Sequence, residues 1–276
     1  MNQQDLLNLD IFNTSKISDI KNFTLVNLRP DLQITHRKTI RTFSHIEEQN
    51  LINWEYDNFD YEISELGFRG NDLPTTIDFG AFGCSFTFGQ GLPFKNIWSN
   101  LLANALDYTH YNFGQPAIGI VNIAEIFIIM SNFVKMKKAV FLLPPYNRLS
   151  IAAKNIKTND INLLPVIASS TSKLEKLYDL DSQTIYKYMP EIELIRKFKD
   201  TVYLIKYIAS IKKIDCYFSS WDHETYTLLE SLNLNNMLLP EWASGGELLF
   251  DYARDQLHPG PIHHFTWVNR IKESIK

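Results

Sequence analysis

Two short segments of the chain carry the residue types that break an ester or amide bond through a covalent intermediate. The first is Gly83-Cys84-Ser85-Phe86-Thr87-Phe88-Gly89-Gln90-Gly91. Its glycines let the backbone bend sharply and approach a ligand, and its serine offers a hydroxyl to a crevice. The second is Asp255-Gln256-Leu257-His258-Pro259-Gly260. A carboxylate three residues before an imidazole can lie in the same turn and bond one ring nitrogen, leaving the other to face a hydroxyl. A serine hydroxyl alone is a poor nucleophile and needs such a base, itself held by an orienting acid. On its own an Asp-x-x-His string is far more often an ordinary surface or core histidine. Together with the serine turn it reads as a nucleophile, Ser85, a general base, His258, and an acid, Asp255.

Other readings of these residues compete. A glycine-rich turn can cradle phosphate, but the GxxxxGK[ST] spacing is absent and Lys95 comes too late to supply it. Cys84 could act as a thiolate, yet neighbours on an extended strand point to opposite sides, so Cys84 and Ser85 cannot both face the histidine. Core packing is its expected role. Trp221-Asp222-His223-Glu224 could shape a pocket or supply a competing acid, and an exposed polar loop is the preferred reading. His263 and His264 add imidazoles without a zinc-ligand spacing, and nothing calls for a metal or another cofactor.

The elements around these turns must bring them together. The run Thr75-Thr76-Ile77-Asp78-Phe79-Gly80-Ala81-Phe82 predicts a strand that ends at Gly83, and Ile97, Leu101, Ala105 with Trp98, Leu102, Leu106 predict a helix after it. The alternation continues with a strand over 108–113, a helix over 121–134 and a buried strand over 138–143. After a polar stretch, Ile192, Ile195, Phe198, Val202, Ile205, Ile208 and Ile211 trace a long amphipathic helix. A strand over 214–219, a shorter one over 237–239, a helix around 247–253 and a last helix from Pro261 complete the series. Strands alternating with helices predict an α/β fold with a largely parallel sheet covered on both faces. In such a sheet active groups gather where strands end and turns lead into helices, which is where Ser85 falls.

Composition limits the alternatives. The 276 residues are 45% hydrophobic and 21% charged, enough to bury a core and with no case for disorder. A formal net charge of -4 and the lack of a basic tract argue against nucleic acid as partner. The longest apolar candidate, 118–130, is interrupted by Asn122 and Glu125, so no membrane span is expected. No secretory signal is read at the start of the chain, which makes the cytoplasm the default location. Cys84 and Cys216 cannot build a disulfide framework. Residues 23–70, with the alternation Trp54 to Ile63, suggest short strands, so residues 1–66 read as a partly stranded N-terminal extension before a domain over 67–276.

The chain resembles the SGNH, or GDSL-like, hydrolases in several separated blocks. Gly83-Cys84-Ser85-Phe86-Thr87-Phe88-Gly89 looks like their first block in a GCS variant, and Asp255-Gln256-Leu257-His258-Pro259-Gly260 looks like their last. Leu66-Gly67-Phe68-Arg69-Gly70 is similar to the segment that leads into their first strand. The resemblance implies a three-layer sandwich with a flavodoxin-like sheet, the triad Ser85, Asp255 and His258, and an oxyanion hole. Its donors would be the N–H of Ser85, an N–H of the second block and an asparagine of the third. Asn112-Phe113-Gly114-Gln115-Pro116-Ala117-Ile118-Gly119 fits the second block with Ala117 at the usual glycine and Gly119 as the alternative donor. In Pro144-Pro145-Tyr146-Asn147-Arg148 the asparagine is Asn147, which is otherwise a common turn residue. The implied substrate is a short-chain or O-acyl ester, often on a carbohydrate, hydrolysed through an acyl-enzyme without a cofactor. An acyltransferase using the same triad, or a binding module on the same fold, are the rival functions.

Overall fold

The structure of the chain, a computed structural model, describes residues 61–64, 66–154, 161–166, 186–240, 251, 253 and 258–276, with only the backbone considered at 150–154 and 161–166. The expected N-terminal extension therefore lies almost wholly outside the described residues, and so does most of the helix expected around 247–253. Asp251 and Ala253, the two described residues of that stretch, are not helical.

Four strands form the parallel sheet. They are β1 (Thr76–Gly83), β2 (His110–Asn112), β3 (Lys135–Leu143) and β6 (Asp215–Ser220), in the order β2-β1-β3-β6. The chain moves from β1 to β2 on one side and returns across β1 to β3 on the other, so a crevice opens at the carboxyl ends of β1 and β3. β3 alternates at first and then becomes the continuous apolar run Ala139–Leu143, as a strand buried on both faces must. Its two faces divide the core. Val140 and Leu142 pack with Phe79, Ala81 and Tyr217 on one side, while Ala139, Phe141 and Leu143 pack with Phe82, Cys216 and Phe218 on the other.

Helices α2 (Trp98–Leu106) and α6 (Pro261–Ile275) cover the first face; α3 (Ile120–Phe133) and α4 (Glu191–Lys212) cover the second. The result is the expected α/β architecture of three layers. The second face carries a row of rings, Phe113, Phe82, Phe141 and Phe218, stacked at centroid distances of 4.8, 5.1 and 5.0 Å. The row follows from register, since Phe82 pairs with Phe141 and Phe141 with Phe218 across the ladder.

Three expectations are corrected. The stretch 237–239 makes one parallel bridge, Phe218 to Met237, and no strand. Leu238 N bonds Phe218 O at 2.9 Å, but Pro240 has no N–H to continue the ladder and the Leu238 carbonyl accepts from the Tyr226 hydroxyl at 3.1 Å. The polar stretch after β3 contains an antiparallel hairpin, β4 (Leu149–Lys154) and β5 (Ile161–Val166), apart from the main sheet. Ile192, counted in the apolar stripe of α4, is 72% exposed, and the buried stripe runs Leu194, Phe198, Val202, Ile205, Ala209.

Candidate active site

Ser85 opens a single-turn helix, α1 (Ser85–Phe88), directly after β1. As the first residue of a helix its N–H has no preceding turn to accept it. The side chain is buried, and its Oγ lies 2.8 Å from Nε2 of His258, a residue 173 positions away. Cys84 is fully buried in the core, with Sγ 4.0 Å from the serine oxygen. Asp255 lies outside the described residues.

Two backbone bonds fasten the residues around His258, Ala253 N to His258 O at 2.8 Å and Gly260 N to Asp251 O at 3.0 Å. The Asp251 carboxylate then caps α6, accepting from the N–H groups of Ile262 and His263 at 2.9 and 3.0 Å. Burial pushes its pKa up and the two N–H bonds oppose that shift. Glycine is required at 260 because a Cβ there would meet Asp251 Oδ2 at 2.3 Å. Farther along, Nδ1 of His264 accepts the N–H of Trp98 at 2.9 Å, and the Trp98 and Trp267 rings meet edge to face at 5.2 Å. Docking of α6 on α2 thus sets the imidazole against the serine.

The turn that carries Ser85 is held from two directions. The buried Arg69 guanidinium donates to the carbonyls of Phe88 and Gly89, at 3.0 and 2.6 Å, and to that of Leu92. It lies over the Tyr61 and Phe88 rings at 4.4 and 5.4 Å. Burial draws its pKa down to about 10, which leaves it charged at neutral pH. Asn112 donates to the Thr87 carbonyl at 2.7 Å and accepts from Gly114 N at 2.8 Å, tying α1 to the turn after β2.

That second turn holds Ala117 and Gly119. Ala117 has φ of +67°, a left-handed conformation that favours glycine. Gly119 precedes α3, and a Cβ on it would meet the Arg148 carbonyl at 2.3 Å, which accounts for glycine there. Asn147 sits in the turn after β3, where Arg148 N bonds Pro145 O at 2.9 Å and the Tyr186 hydroxyl donates to the Asn147 carbonyl at 2.6 Å. Ser85, Ala117, Gly119 and Asn147 therefore share the carboxyl edge of the sheet.

The loop after β6 is only partly the exposed polar loop expected. Asp222 caps helix α5 (His223–Glu230), its Oδ2 accepting from N and Oγ1 of Thr225 at 2.9 and 2.7 Å. His223 and Glu224 are exposed. Trp221 instead lies flat on Phe86, with centroids 4.3 Å apart and planes 3° off parallel, and Phe86 meets the His258 ring edge-on at 5.5 Å. Among the described residues no group of three His, Cys, Asp or Glu is placed to hold a metal ion, and no helix is long and apolar enough to cross a membrane.

No protein-family model and no curated protein matches the chain. Solved structures similar to it include a G-D-S-L family protein from Desulfitobacterium hafniense, at 12% identity and a TM-score of 0.45, over 73% of this chain and 99% of that one. A carbohydrate esterase family 2 enzyme with a carbohydrate-binding domain, from Corynascus thermopiles (Myceliophthora fergusii), matches at 13% identity and a TM-score of 0.43, over 76% of this chain and 68% of that one. An acetyl xylan esterase from the rumen bacterium Butyrivibrio proteoclasticus matches at 10% identity and a TM-score of 0.41, over 73% of this chain and 64% of that one.

Proposed function

We propose that the chain is a serine esterase of the SGNH kind, with Ser85 as nucleophile, His258 as general base and Asp255 as the acid that orients it. The observation that carries this reading is the 2.8 Å contact between Ser85 Oγ and His258 Nε2, made at the carboxyl edge of a parallel sheet by residues 173 positions apart. In the first half-reaction Ser85 Oγ bonds to the ester carbonyl carbon while its proton passes to Nε2. Collapse of the tetrahedral adduct breaks the bond to the alcohol, which leaves with that proton. Water then repeats the sequence against the acyl-serine, giving the free acid and restoring the serine.

The oxyanion formed in each half is met by the N–H of Ser85, an N–H of the 117–119 turn and the side chain of Asn147. Ala117 is favoured over Gly119, because its positive φ marks a place built for glycine, whereas the approach of Arg148 explains Gly119. Removing one side-chain donor of this type costs about 100- to 1000-fold in rate. Asn147→Ala should therefore fold and lose kcat on that scale, and full activity in that variant would remove Asn147 from the hole.

The reading is tested by hydrolysis of p-nitrophenyl acetate by the parent and by Ser85→Ala, each checked for folding by thermal melting. Activity confined to the parent is expected. Equal rates in both would refute the assignment of Ser85.

A further inference from the structure

We infer that the ester taken by this site carries a carboxylate, bound by Arg148 where its guanidinium lies on Trp221; the inference rests on the esterase reading above. Two contacts place Arg148 at the site. Its carbonyl lies against Gly119 in the turn that holds Ala117. Its guanidinium carbon stands 5.4 Å from the centre of the Trp221 ring. From there the rings run inward, Trp221 on Phe86 at 4.3 Å and Phe86 on His258 at 5.5 Å. A stack of aromatic rings thus joins a cation at one end to the base at the other.

The cation is incompletely satisfied. Among the described residues no carboxylate forms an ion pair with Arg148. Its Nε is buried without a hydrogen-bond partner, as is Nε1 of Trp221 beside it. Asp222, the acid next to Trp221 in sequence, is engaged in capping α5. A buried donor of a charged group is unfavourable unless something accepts from it. Arg69 Nε is likewise buried without a partner, but the two terminal nitrogens of that guanidinium donate to three carbonyls. A guanidinium presents parallel N–H groups that fit the two oxygens of a carboxylate, and such charge-assisted pairs are stronger than neutral ones. An ester whose body lies along the edges of the Trp221 and Phe86 rings and whose acid end reaches the outer N–H groups of Arg148 would pair that charge while its carbonyl approaches Ser85.

The test compares kcat/KM within two matched pairs. Monoethyl adipate against ethyl hexanoate places the charge on the acyl side; 4-acetoxybenzoate against its methyl ester places it on the alcohol side. The parent should favour the charged member of at least one pair by about tenfold or more, Arg148→Gln should bring that ratio close to one, and Arg148→Lys should keep part of it. Ratios near one in the parent for both pairs, or a ratio unchanged in Arg148→Gln, would overturn the proposal. Calorimetric titration with the amide analogues N-ethyladipamic acid and 4-acetamidobenzoate separates it from the esterase reading. Binding of either that weakens at least tenfold in Arg148→Gln supports the subsite even if no ester is turned over. Binding of neither, or binding equal in parent and variant, counts against it.

Discussion

A serine hydroxyl 2.8 Å from an imidazole nitrogen is already within reach of proton transfer, so at the residue scale the proposed reaction needs little movement before attack. Replacing His258 by Ala should lower kcat by at least about 10,000-fold with a modest change in KM, as measured by steady-state hydrolysis of a short-chain ester. Ala117 invites the opposite kind of substitution. Ala to Gly ordinarily costs about 0.5–1 kcal/mol through backbone entropy, and at φ +67° relief of the left-handed strain offsets that cost. Ala117→Gly should melt within a degree or two of the parent and keep its activity, because the N–H is retained. The sequence brings out Ser85 and His258 because a hydroxyl in a glycine-rich strand end and an imidazole beside a carboxylate announce chemistry by type and spacing. Arg148 and Asp251 announce nothing of the kind. One is singled out because no described carboxylate pairs with it, the other by a cap made to residues 11 and 12 positions away, and neither relation is legible from spacing.

The elements that hold Ser85 depend on buried polar clamps rather than on helix length. α1 is a single turn, too short to be stable by itself. Arg69→Met would leave the carbonyls of Phe88, Gly89 and Leu92 without that donor. At about 1 kcal/mol for each bond lost, stability should fall by about 3 kcal/mol. Lysine should not rescue it, since a point ammonium cannot span three acceptors as a planar fork does. Urea unfolding of both variants measures this, and a fall in kcat larger than any rise in KM would show that the clamp positions Ser85. Phe141→Ala, in the middle of the stacked row, should cost about 3–5 kcal/mol by the same measurement. Long periodic elements such as α4 and β3 are legible because many residues repeat one pattern. The hairpin β4–β5 is not, since its strands are only 6 residues each and the second contains Pro165, paired with Ser150. A proline argues against a central strand and is tolerated in an isolated pair with a free edge. The stretch 237–239 misleads in the other direction. Its apolar residues read as a strand, but Pro240 has no N–H for the next rung and the Leu238 carbonyl is taken by the Tyr226 hydroxyl.

Across the whole molecule, the histidines at the start of α6 set a pH limit on stability. His264 accepts the Trp98 N–H through Nδ1, and burial draws the pKa values of His263 and His264 down to about 3. In the unfolded chain histidines take up protons near pH 6.5. Below that pH the unfolded state binds protons that the folded state refuses, so stability is full above about 6.5 and declines toward about 3. At pH 5 each histidine costs up to about 2 kcal/mol. The urea midpoint should therefore drop between pH 7.5 and 5, and an unchanged midpoint would contradict this account. The same helix carries a further consequence. Ser85 is carried by the turn at the end of β1, whereas His258 is placed by α6 docking on α2, so the two halves of the site sit in units that can separate without the sheet opening. Amide exchange in α6 should then report a sub-global opening of lower free energy than exchange in β3. Turnover would fade at denaturant concentrations where the sheet is still intact, which makes enzyme activity a gauge of how one terminal helix breathes.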